Sequence, residues 1–138
     1  MKNAKGLLAL AVVTFSSVAL AAGKSDQDEF IKQMAQGITS SEVAVACGLR
    51  TQDWRESVSL GLIASARIFV MSVRPRASDN EITARAVNMF KAAKIEAAMH
   101  AQFAAPTRSE CDTLSASRDI ENADAAAKIG LIFSTVNR

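Results

Sequence analysis

The sequence predicts an all-α fold: a small bundle of about five to six helices, built on a long antiparallel αα-hairpin (52–74, 79–103) and stapled by one disulfide. Three observations carry this. Helix start signals recur, and Thr39-Ser-Ser-Glu42, Ser78-Asp-Asn-Glu81 and Thr107-Arg-Ser-Glu110 each match the capping box, in which hydroxyl and carboxylate satisfy each other's orphan N–H groups. The two prolines, Pro75 and Pro106, fall just beyond the two long apolar-patterned segments, where they stop a helix without breaking it. The composition lacks tyrosine and is rich in alanine, which favours helix over strand.

The elements follow in order. Residues 1–21, "MKNAKGLLALAVVTFSSVALA", place Lys2 and Lys5 before an apolar run and end on the small-x-small triplet Ala19-Leu20-Ala21. That is the pattern of a cleaved Sec-type signal peptide. Thr14, Ser16 and Ser17 interrupt the run, and a spanning helix needs about 20 mostly apolar residues. The expectation is an exported protein, periplasmic or secreted, with no stable membrane anchor after cleavage and residues 22–138 forming a single helical domain. Asp26 to Gln36 reads as a first short helix closed by Gly37. The box at Thr39 opens a second, ending near Cys47, with Gly48 able to take the left-handed closing conformation. Thr51 caps the first long helix and Ser78 the next. Thr107 opens a short helix through Cys111. Ser117 caps the last helix, which runs through the alanines from Ala123 into a β-branched tail.

The long helices differ in character. In the second, Ile82, Ala86, Met89, Phe90, Ala93 and Ala97 form one apolar stripe, with Ile95, Met99 and Phe103 beside it. The first is apolar nearly all round: from Leu60 to Val73 only Arg67 is charged. Such a helix is either central to its domain or shared with a partner. It also carries Ser57, Gly61 and Ser65 at four-residue spacing, a row on which another helix can approach closely.

The hairpin decides the fate of the cysteines. At 1.5 Å per residue the first long helix runs about 34 Å out and the second about 37 Å back. Cys47 precedes the first and Cys111 follows the second, so both lie at one end of the molecule. In an oxidising compartment they pair. A nucleophilic role for Cys47 needs a base, and the single histidine, His100, lies on the returning helix in the half nearer Cys111; but an oxidised cysteine is not a nucleophile, and no Cys-x-x-Cys motif is present. Two cysteines and one histidine match no zinc signature, so no metal is expected.

Function is read largely by exclusion. Removing Lys2 and Lys5 leaves equal numbers of basic and acidic side chains, so nothing in the charge points to nucleic acid. One histidine and no clustered acids supply no catalytic residues, so a non-enzyme without cofactor is expected. The alternatives are a periplasmic stress chaperone and a small-ligand carrier within the bundle, such as a haem carrier with Met34 and His100 as axial ligands. The leading expectation is a binding or inhibitor-type protein acting through a protein interface, with Trp54, Ser57, Gly61, Ser65 and Arg67 as interface candidates. Its partner is an unidentified protein or a second copy in a two-fold dimer. In size, signal peptide and single disulfide the chain is similar to small periplasmic helical proteins, among them immunity proteins and acid-stress chaperones, a similarity of architecture alone.

Overall fold

A computed structural model describes residues 24–100 and 105–136, and every regular element among them is helical. The signal-peptide pattern lies outside the described residues. The described residues form five helices: α1 (Lys24–Ala46), α2 (Gln52–Val73), α3 (Asp79–Met99), α4 (Arg108–Ser115) and α5 (Arg118–Val136). α2 is the axis. It packs most extensively on α5 and also touches α3 and α1, while α1 bridges to α3 and α5.

The first correction concerns α1, where two short helices are expected and one helix runs unbroken through Gly37 and Thr39. Its buried residues explain this. Phe30, Met34, Ser41 and Ala44 recur at helical spacing on both sides of Gly37, so one face stays against the core throughout. Gly37 itself lies against Leu62 of α2. Burying that face outweighs the roughly 1 kcal/mol cost of an internal glycine. The Thr39 box is therefore not used. The hydroxyl of Ser41 instead donates to the carbonyl of Ile38 at 2.8 Å, inside the helix.

The remaining boundaries follow the local chemistry. Leu49 N–H donates to the carbonyl of Ala44 and Gly48 N–H to that of Val45, with Gly48 at φ 71°, which is a Schellman closure of α1. Thr51 caps α2 by accepting from Trp54 N–H, and Thr107 forms the complete box with Glu110. The box at Ser78 is half made: its hydroxyl accepts from Glu81 N–H, but the Glu81 carboxylate turns to Arg74 and Arg85. Ser117 does not cap α5, because its hydroxyl donates backward to the carbonyl of Leu114. α3 ends at Met99, with His100 as its C-cap. The expected continuation to residue 103, with Phe103, runs into residues outside those described.

Two apolar clusters result. The larger joins α1, α2 and α3 through Phe30, Met34, Phe69, Val70, Ile82, Ala86 and Met89, with the rings of Phe30 and Phe69 stacked 4.9 Å apart. The smaller joins α2 and α5 through Val58, Ala123 and Ala127. Cys47 and Cys111 are bonded, as expected, with Cα atoms 5.6 Å apart, tying the end of α1 to α4. None of the residues of α4 is buried, so the disulfide is its principal fastening.

That fastening sets a first prediction. The bond spans 64 residues of chain, which loop-closure entropy converts to at most about 4 kcal/mol. Replacing both cysteines by serine should lower the melting temperature and release α4, seen as lost amide protection over 108–115, while α1, α2 and α3 keep theirs. A doubly substituted protein with the same melting temperature and protection as the wild type contradicts this.

Candidate functional site

The five interface candidates separate into two groups once placed. Ser57 and Gly61 face α5. A Cβ on Gly61 would lie 1.8 Å from the carbonyl oxygen of Ala126, and one on Gly130 would lie 1.9 Å from that of Ser57. The two backbones therefore touch with no side chain between them. Ala126, Gly130 and Ser134 repeat on α5 the four-residue spacing of Ser57, Gly61 and Ser65 on α2. The row expected as an external crossing is thus an internal one, and Gly61 is buried within the chain. Ser65, half-buried on the same row, donates back to the carbonyl of Gly61 at 2.9 Å.

Trp54 belongs to a second constellation at the disulfide end. Its indole N–H donates to Asp124 Oδ1 at 2.9 Å. Arg50 holds the same carboxylate with both arms of its guanidinium, Nε to Oδ1 at 3.0 Å and Nη2 to Oδ2 at 2.8 Å, and lies over the indole ring. The bidentate geometry is the strong form of this contact. The hydrogen bonds from Arg50 hold the Asp124 carboxyl below its ordinary range against the opposing effect of burial, with smaller help from Trp54 and Lys128. Asp124 in turn raises Arg50. Arg50 and Asp124 were not singled out from sequence: they are 74 residues apart, and neither stands in a motif.

Arg67 reaches out of the apolar helix to the hydroxyl of Thr83 on α3. This removes it from the core and holds it at the edge of the bundle. Beside it α2 keeps a strip of large apolar side chains in solvent: Leu60 is 36 % exposed, Ile68 48 % and Met71 50 %. These positions share one helical face. α2 is long and apolar enough to cross a membrane by length and composition, and only a third of its most apolar stretch is buried in the bundle.

The structure also bears on the small-ligand alternative. Met34 is 2 % exposed inside the three-helix core, whereas His100 stands in solvent at the end of α3, so the two are not a facing ligand pair. His100 instead lines an open groove of about 380 Å³ between α1, α3 and the start of α5, with Lys32, Ser40, Glu96 and Asp119. No group of three or more histidine, cysteine or acidic side chains able to hold a metal occurs among the described residues. No family model matches the chain, and no curated protein or solved structure matches it.

Two predictions follow from the α2–α5 contact. Gly61→Ala gains about 1 kcal/mol in helix propensity, yet it drives a methyl into the Ala126 carbonyl, and overpacking costs about 1–3 kcal/mol or more. The melting temperature should fall; a rise would show that the crossing yields without cost. Asp124→Asn should lower stability by about 1 kcal/mol, the value for charged hydrogen bonds discounted for a pair that is a third exposed. Because the folded carboxyl titrates below its unfolded value, this contribution is complete above about pH 4–5 and disappears as pH falls through the folded value. Denaturation midpoints of the two proteins should converge in acid, and a constant difference down to pH 2 contradicts the assignment.

Proposed function

We propose that this chain is an exported, non-enzymatic binding protein of inhibitor or immunity type, working through the apolar face of α2. The observation that carries the proposal is the strip of Leu60, Ile68 and Met71, three large apolar side chains left in solvent on the central helix of the bundle. Large apolar side chains gathered in solvent on one helical face of a small protein point to an interaction site. The rest of α2 is committed: one face to α5, another to α1 and α3. The strip is the part of the axis that folding leaves over.

Export is supported by the signal pattern of residues 1–21 and by the disulfide, which persists in oxidising compartments. The non-enzymatic reading is supported by the roles the polar groups take. Arg50, Trp54 and Asp124 are consumed by one another, and the groove beside His100 is open and shows no base bonded to a nucleophile.

The test is recovery of the tagged protein from periplasm, where the mature chain should begin at Ala22 or Gly23 by mass spectrometry. Copurifying protein should be retained by the wild type and lost from Ile68→Glu/Met71→Glu, whose far-ultraviolet dichroism and melting temperature should be close to normal because both positions are half-exposed. A partner held equally well by the variant would place the interface elsewhere, and a chain still starting at Met1 would rule out export.

A further inference from the structure

We infer that the apolar face of α2 is self-complementary and joins two copies of this chain in an antiparallel, two-fold dimer. The inference rests on the reading of that face as an interface and names its occupant. Asp53, Glu56, Leu60, Ala64, Met71 and Arg74 follow one another at intervals of three, four or seven residues, so they lie along a single line on the helix. Along this line the chemistry changes in order: two acids at the N-terminal end, apolar residues in the middle with Arg67 among them, and arginine at the C-terminal end. Ile68 widens the apolar part, and Arg76 extends the basic end just past the helix.

A two-fold axis through the middle of the strip, between Ala64 and Arg67, reverses this order in the second copy. Leu60 then meets Met71 of the other chain, and Glu56 meets Arg74. Asp53 comes level with Arg76. Every acid faces a base and every apolar group an apolar group, which is the requirement for an isologous contact. Ala64, near the axis, is 7 % exposed and already covered within the chain, so the contact is carried by Leu60, Ile68 and Met71 around it.

The charges concerned are largely free to take this part. Asp53, Glu56 and Arg76 have no side-chain ion pair among the described residues, and Arg74 has one at 3.5 Å to Glu81, which Arg85 also holds at 3.0 Å. The one charge the symmetry would place badly is Arg67, which would bring two guanidinium groups close to the axis. It is drawn sideways onto Thr83 of α3, away from that line.

The experiment is sedimentation velocity on the chain from Ala22 onward, over roughly 1–200 µM, the range in which a small interface of this kind dissociates. The wild type should move from monomer to dimer, and the dimer should weaken as salt is raised. Ile68→Glu should be monomeric throughout. Glu56→Arg and Arg74→Glu each replace two attractive contacts by two repulsive ones and should each weaken the dimer at least tenfold. Mixed together, the two single variants present arginine to glutamate at both ends, and a heterodimer should form at wild-type concentrations. That rescue cannot arise from a folding defect, which mixing would not repair. A wild type that is monomeric at all concentrations, a dimer insensitive to Ile68→Glu, or a mixture that stays monomeric overturns the inference. In the first case a partner captured through the same face would still stand, so the two readings fail separately.

Discussion

The contact between the backbones of α2 and α5 governs the rest of the structure. Gly61 and Gly130 let the helices touch main chain to main chain, each glycine lying against a carbonyl of the other helix. Such a contact has little room for adjustment, because backbone atoms cannot move aside as a side chain can. It fixes the register of α5 along α2 and so brings Ala123 and Ala127 onto Val58. It also places Asp124 within reach of Trp54 and Arg50. The glycines lose helix propensity, and the close packing they permit has to offset it.

Electrostatics then holds one end of this arrangement. Arg50 sits in the short connection between α1 and α2, and its guanidinium grips α5 through Asp124. The disulfide closes the same end by joining the Schellman turn of α1 to α4. The two fastenings are of different kinds. The disulfide acts mainly on the unfolded chain by shortening its loops. The Arg50–Asp124 pair acts on the folded state and depends on the carboxylate remaining ionised. At the opposite end the α2–α3 turn is held by ion pairs on Glu81, which are exposed and correspondingly weak.

What could be read from the sequence was whatever depends on near neighbours. The caps at Thr51 and Thr107, the left-handed Gly48, the stop at Pro75 and the hairpin are all decided within a few residues, and the disulfide followed from the hairpin by simple geometry. At Gly37 a local signal, glycine beside a capping box, competes with a long-range one. The buried face running from Phe30 to Ala44 won, and its spacing was there to be seen. The row of Ser57, Gly61 and Ser65 was correctly seen as a place of close approach, but a row of small residues does not say which helix approaches. The matching row at Ala126, Gly130 and Ser134 was the missing signal. The union of Arg50, Trp54 and Asp124 was not legible, because it exists only after α5 has been set in register by the glycines.

The packing of α2 also decides how much of its apolar surface stays in solvent. A helix that is apolar nearly all round needs neighbours on every side, and the described residues supply three. α5 packs backbone to backbone on the face of α2 that carries Ser57 and Gly61. α1 and α3 share the opposite side, since they also pack on each other through Phe30, Met89 and Ala93. The strip of Leu60, Ile68 and Met71 is what remains between α3 and α5. Its exposure means that none of these three neighbours lies over it. Arg67 marks its border: the one charge on that stretch is tethered to Thr83, which leaves the strip apolar and keeps it edged by a cation.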